Sequence, residues 1–301
     1  MVYPQSTQFQ QNLSSALLAA RPKTLTASLV PIVVASFFAQ TLGFSVKWDL
    51  SLYALLASLA IQIGTNFIND ALDFKKGADT KERLGPTRVT QAGLLSMNQV
   101  LFAGFGFFAL AGMFTLPLLW VGGVPLLVIL VASVLCGYLY TGGPWPLAYV
   151  GLGDLFVLIF FGFVSTLTVF YLQTGSFNWL TGVASLQIGL LCTVLIAINN
   201  LRDYKQDAKA HKLTLAVRMG PTFSRWEITI LCLAPFVLNL IWLKQGYMMA
   251  ACLPWTILPL AIKLVRYIWL EEPGEKYNEF LAQAARIHLL FGLSLSLGFI
   301  C

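Results

Sequence analysis

Charge is what this 301-residue chain has least of. Acidic and basic residues together make up 11% of it, and 57% is hydrophobic, whereas soluble domains are about a quarter charged. A soluble core of this composition is excluded. Only two histidines occur, and the five cysteines (Cys136, Cys192, Cys232, Cys252 and Cys301) are scattered, without a C-x-x-C pair. They read as small buried hydrophobes, not as a zinc site or a disulfide framework. No basic residue precedes Arg21, so the signal-peptide pattern is absent and the first membrane span is expected to act as its own insertion signal. A net charge of +6 would suit a nucleic-acid partner, but the cations fall in loops between apolar runs, as membrane topology requires. Nucleic acid is not expected.

What the chain does have is long apolar runs, each near the ~18 or more residues that cross a bilayer core. They predict an all-α, polytopic membrane bundle of about nine transmembrane helices, at roughly 25–43, 50–69, 99–117, 119–138, 150–172, 180–199, 226–243, 248–268 and 285–301. Residues 1–20 form a polar segment, and Leu13 to Ala20 is expected to lie along the interface. The third and fourth spans are nearly contiguous, and Gly122, Gly123 and Pro125 predict a tight hairpin there. With the N-terminus inside, 17 of the 19 lysines and arginines fall in inner loops, leaving only Lys47 and Lys244 outside. The second and sixth spans each end in Asn, then Asp, then a basic loop, which predicts two similar four-helix halves with the ninth helix extra.

Those two ends carry the chemistry. Extended as helices, Asn66, Asp70 and Asp73 share one face, with Asn69 and Asp73 as a neighbouring pair, and Asn199, Asp203 and Asp207 repeat the arrangement. Four or more acidic groups brought close in a poorly solvated place would protonate or bind divalent cations. Oxygen ligands without His or Cys favour Mg²⁺. Cations follow each cluster: Lys75, Lys76, Lys81, Arg83 and Arg88 after the first, and Arg202, Lys205, Lys209, Lys212 and Arg218 around the second. Carboxylate-held Mg²⁺ beside Lys and Arg forms a receptor for a diphosphate. A lone charge run beside a span is ordinarily a solvated loop that sets topology. Two Asn/Asp constellations at matching helical spacing call for more than that.

These residues resemble the UbiA superfamily of intramembrane prenyltransferases. Asn69, Asp70 and Asp73 match its N-D-x-x-D-x-x-x-D motif, except that Gly77 stands where the last aspartate falls and Asp79 follows it. The branch acting on 1,4-dihydroxy-2-naphthoate has that G-x-D variant, followed by R-x-G-P-x-R, here Arg83 to Arg88. Asp203 and Asp207 match the second motif within N-N-x-R-D-x-x-x-D and K-x-T-L-A-V-R-x-G, here Asn199 to Asp207 and Lys212 to Gly220. R-P-K-T-L at 21–25 and the stretch from Tyr140 to Asp154 also match. His211 stands where family members often carry Gly.

The resemblance implies a central cavity open to the bilayer, a polyprenyl diphosphate donor and an aromatic acid acceptor, dihydroxynaphthoate. Mg²⁺, as two ions bridging the diphosphate, would assist ionisation, and the acceptor ring would then attack. Asn69, Asp73, Asp203 and Asp207 would hold metal, with Asp70 and Asp79 as further ligands or as supports, and Asn66 and Asn199 beside them. Lys81, Arg83, Arg88, Arg202 and Lys212 would contact the diphosphate or orient the motifs. Arg21 and Lys23 would bind the acceptor carboxylate or the diphosphate. Tyr140 would face the cation or acceptor, or else act as an interfacial anchor. Asp154 would bind substrate or answer the positive end of a helix. His211 and His288 are assigned no chemistry. Two rival readings fit less well. A CDP-alcohol phosphatidyltransferase needs a D-G pair, and the chain has none. A transporter would place its acids near the midplane. Within the superfamily, 4-hydroxybenzoate or homogentisate is the alternative acceptor.

Overall fold

The computed structural model describes residues 8–80 and 82–301, excluding the side chains of residues 8–13 and of Lys23. We number its main helices α1 (Gln8–Ala20), α2 (Thr26–Thr41), α3 (Trp48–Lys75), α4 (Met97–Leu139), α5 (Gly153–Thr174), α6 (Trp179–Lys209), α7 (Leu215–Lys244), α8 (Met248–Leu270) and α9 (Tyr277–Ile300). A short 3-10 turn, Pro22–Thr24, joins α1 to α2. Seven of the described helices are long and apolar enough to cross a membrane, and the chain is an integral membrane protein. The sequence predicts about nine spans, and the difference lies in α2 and α4. At 16 residues, α2 is about 24 Å long, short of a full bilayer core. The third and fourth predicted spans appear as one element, α4, of 43 residues.

That element is folded back on itself. Gly123 breaks the helix with φ 58° and ψ −154°, a backbone conformation that favours glycine. In a straight helix Phe105 and Tyr138 would stand about 50 Å apart, yet their rings stack with centroids 6.2 Å apart. Both arms return to the same level of α3, where Gly104 meets Gly64 and Gly137 meets Thr65. The hairpin expected around Gly122 to Pro125 is therefore present.

The long helices pack through small residues, because lipid leaves no hydrophobic drive between them and close backbone contact must supply the attraction. In the wall of α5, residues Leu158–Val164 form a π-helical segment that brings Gly162 against Gly189 of α6. A Cβ on Gly162 would lie 2.7 Å from the Ser185 carbonyl oxygen and 2.8 Å from the Gly189 Cα. Deeper in the bundle, Trp242 Nε1 donates to Gln187 Oε1 at 2.8 Å, and Gln187 Nε2 donates to Asn239 Oδ1 at 2.7 Å and to the Pro235 carbonyl at 2.8 Å. These bonds satisfy polar groups that lipid could not.

The α5–α6 contact makes a direct prediction. Gly162→Ala should destabilise the detergent-solubilised protein by about 1–3 kcal/mol, because backbone rather than a flexible side chain blocks the new methyl. Gly182→Ala, whose Cβ would meet nothing within 4 Å, should be neutral or slightly stabilising. Equal melting temperatures for the two variants would refute the close crossing.

Candidate active site

Both acidic clusters stay helical, as the spacing predicts, and the two helices end in the same way. In α3, Gly77 has φ +71° and the Asp73 carbonyl accepts from Ala78 N at 2.9 Å. In α6, His211 has φ +53° and the Asp207 carbonyl accepts from Lys212 N at 2.8 Å. Each helix therefore stops in a left-handed residue four positions after an aspartate, the usual place for glycine. Gly77 turns the chain so that Asp79 comes back to Arg83, which hydrogen-bonds it, and to Arg88, whose Nε lies 3.2 Å from Oδ2. Burial pushes the Asp79 carboxyl up to about 6, aided by Asp73 and Asp70 and opposed by Arg83 and Arg21.

The carboxylates are each answered by a partner instead of meeting in one cluster. Among the described residues no three His, Cys, Asp or Glu side chains form a metal-sized group. The reason is charge pairing in a poorly solvated place. Arg88 Nη2 lies 3.5 Å from Asp73 Oδ2, Lys212 Nζ lies 3.4 Å from Asp207 Oδ1, and Arg202 grips both oxygens of Asp203 at 2.7 and 2.6 Å. The same Arg202 donates to Asn199 Oδ1 at 2.5 Å and to Asn278 Oδ1 at 2.7 Å. Burial lowers the basicity of the Lys212 ammonium, but Asp207, Asp73 and Asp203 outweigh it and hold the amine above its ordinary range. One lysine thus feels carboxylates from both motifs.

Two predicted ligands have other work. Asp70 is buried and accepts from the backbone N–H of Val89 at 3.1 Å and of Thr90 at 2.9 Å, so it clamps the loop behind the first motif. Asn66 donates its amide to the Ala20 carbonyl at 3.0 Å, fixing the end of α1 and the turn at Arg21. Asn69 Oδ1 accepts from Thr141 Oγ1 at 2.8 Å. Asp154 is held by Asn200 Nδ2 at 3.1 Å. Lys81 and the side chain of Lys23 lie outside the described residues.

Two cavities meet at this point. The larger, about 810 Å³, is lined by apolar residues of α3 to α6, among them Leu118, Leu126, Phe160 and Leu172. The smaller, about 40 Å³, is lined by Asp73, Thr141, Asp154, Asn200 and Lys212. Arg21, Asn69, Arg88, Tyr140 and Asn199 line both, whereas Asp79, Asp203 and Asp207 line neither. Arg21 Nη2 and Arg88 Nη1 are buried without a hydrogen-bond partner. The arrangement can hold a long apolar molecule with an anionic head.

The UbiA prenyltransferase family model matches residues 28–290. The chain belongs to that family. It is a prenyltransferase. It is 33% identical over 298 residues to the 1,4-dihydroxy-2-naphthoate octaprenyltransferase of Haemophilus influenzae, covering 93% of each chain. It is 32% identical to the protein of the same name from Bacillus subtilis, covering 92% of this chain and 89% of that one. Among solved structures, a UbiA homologue from Archaeoglobus fulgidus bound to GPP and Mg²⁺ superposes with TM-score 0.62 at 18% identity, covering 95% of this chain and 100% of that one.

The sequence reading of this UbiA chain missed Thr141, Tyr149, Asn200 and Asn278. Tyr149 donates its hydroxyl to Asp73 Oδ1 at 2.9 Å. Asn278, at the start of α9, donates to the Leu84 carbonyl at 2.8 Å while accepting from Arg202. Thr141, Tyr149 and Asn200 lie within or directly beside stretches that had matched, but polar neutral side chains give no periodic signal of their own. Asn278 stands in the first turn of α9, where no motif had been read.

Two predictions follow from this geometry. Asp70→Asn offers a donor where Val89 or Thr90 needs an acceptor, at a cost of about 1–3 kcal/mol. Hydrogen exchange at those two amides should rise, and unchanged exchange would dismiss the clamp. His211→Gly should raise stability by about 1 kcal/mol, since a left-handed residue with a side chain is strained. A melting temperature no higher than that of the parent chain would contradict it.

Proposed function

We propose that this enzyme transfers a polyprenyl group from an isoprenyl diphosphate to 1,4-dihydroxy-2-naphthoate, with loss of the acceptor carboxyl as carbon dioxide. The product is the reduced form of demethylmenaquinone, or its phytyl equivalent. The names of the relatives support the acceptor, as do Gly77, Asp79 and the Arg83 to Arg88 stretch. The observation that carries the donor is the pair of unpartnered guanidinium nitrogens on Arg21 and Arg88, at the junction of an apolar cavity with a polar one. Arg83 and Arg202 are committed to Asp79 and Asp203, and Arg88 pairs Asp73 and Asp79 through Nη2 and Nε, which leaves Arg21 Nη2 and Arg88 Nη1 to meet the anionic ends of the substrates.

The donor set suits Mg²⁺. It consists of oxygens from Asn69, Asp73, Asp203 and Asp207, and Asp207 Oδ2 is buried with no hydrogen-bond partner. Each carboxylate keeps lone pairs beyond those its cation occupies. Magnesium bound there supplies positive charge against the diphosphate as negative charge grows on it. The allylic C–O bond breaks with its electron pair on the leaving diphosphate, whose charge Arg21, Arg88 and Lys212 meet. The apolar walls hold the tail and keep water from the allylic cation. A ring carbon of the acceptor then forms the new C–C bond. The strong Lys/Arg bias of the loops supports a site on the cytoplasmic face, which in a bacterium is that of the plasma membrane.

The test incubates membranes containing the enzyme with a polyprenyl diphosphate, Mg²⁺ and each acid in turn. Dihydroxynaphthoate should be prenylated, and Asp73→Asn should lower turnover on the order of a hundredfold or more. Product from 4-hydroxybenzoate alone would move the enzyme to another branch. Full turnover in EDTA would remove the metal.

A further inference from the structure

Tyr149 is in contact with both halves of the site. Its hydroxyl donates to Asp73 Oδ1 at 2.9 Å. Its ring lies under two ammonium groups, Lys76 Nζ at 4.5 Å and Lys212 Nζ at 5.9 Å from the centroid. Its carbonyl accepts from Leu213 N at 3.0 Å, joining the central loop to the segment after the second motif. Lys76 follows the first motif and Lys212 the second, so the ring stands between cations that two distant stretches supply. An interfacial anchor would look different. Trp145, four residues earlier in the same loop, is 79% exposed and suits that role, whereas Tyr149 turns its polar end inward to a carboxylate. Tyr149 lines neither cavity.

We propose that Tyr149 is a positioning residue for the donor's diphosphate, acting through two separable parts. The hydroxyl fixes the rotamer of Asp73, so that its remaining lone pairs face the divalent cation that accompanies the diphosphate. The ring holds Lys76 and Lys212 a fixed distance apart by cation–π attraction, so that they meet the anion as a pair. A tyrosine does both because its ring and its hydroxyl meet different partners. The proposal rests on the donor site described above. It goes beyond it by naming a group outside the cavity that sets metal affinity and anion affinity independently.

Two binding titrations on the full chain in lipid nanodiscs test it without turnover. Mn²⁺ binding is followed by electron paramagnetic resonance, and inorganic pyrophosphate binding by calorimetry in EDTA. Tyr149→Phe keeps the ring and loses the hydroxyl. It should weaken Mn²⁺ roughly 10- to 100-fold, the usual effect of removing a ligand's outer partner, with pyrophosphate affinity within about twofold of the parent. Tyr149→Leu should weaken both, pyrophosphate by roughly three- to tenfold. In an Asp73→Asn background the Phe change should add no further loss of Mn²⁺, since it acts through that carboxylate. The Phe variant and the double variant decide the question even where the Leu variant does not fold. Unchanged Mn²⁺ affinity in Tyr149→Phe, or an additive loss in the double variant, overturns the positioning role and leaves the donor site standing. A parent chain that binds neither Mn²⁺ nor pyrophosphate overturns the donor site and this role with it.

Discussion

Everything at the working end of this enzyme depends on keeping carboxylates charged where water is scarce. An ionised acid stripped of solvent is tolerated only with a countercharge and hydrogen bonds. Asp73, Asp79, Asp203 and Asp207 each have a cation, supplied by Arg88, Arg83, Arg202 and Lys212. The basic loops therefore do more than orient the chain in the bilayer. They keep a reservoir of negative charge stable at the end of the bundle, with their own positive charge beside it.

The scaffold delivers these charges by repeating one local device. Two long helices run past the edge of the apolar bundle, each carrying Asn and Asp on one face, and each stops in a left-handed residue with the aspartate carbonyl accepting from the residue five positions on. That common stop sends both basic segments back over the helix ends. Arg202 then ties the second helix to α9 and, through Asn278, to the Leu84 carbonyl of the first loop. The loop's Gly85 packs so tightly on this knot that a Cβ there would lie 2.6 Å from Arg202 Nη2. Below the charged layer, helix contacts built on glycine leave the apolar cavity in place.

A good share of this was legible in the residues. Long apolar runs fixed an all-helical membrane bundle, because only hydrogen-bonded helices or closed barrels survive in lipid. The hairpin at Gly123 was readable because the apolar stretch is too long for one span. The two acidic clusters stood out because carboxylates at helical spacing beside a span are costly unless used. What sequence could not determine was which oxygen each cation takes. Asp70 and Asp73 are three residues apart and of the same chemistry, yet one clamps Val89 and Thr90 while the other lines the polar cavity.

Only the tertiary fold separated such pairs, since partner choice depends on side chains as far as seventy-six residues away in the chain. Arg202 meets Asn199 and Asn278, and Asp73 meets Tyr149 seventy-six residues downstream. None of these neutral partners has a periodicity or a charge pattern to betray it. The sequence by itself determined the bilayer, the helices and the presence of two acidic ends. The tertiary structure decided which acids remain open to a ligand, because only packing assigns each buried charge its countercharge.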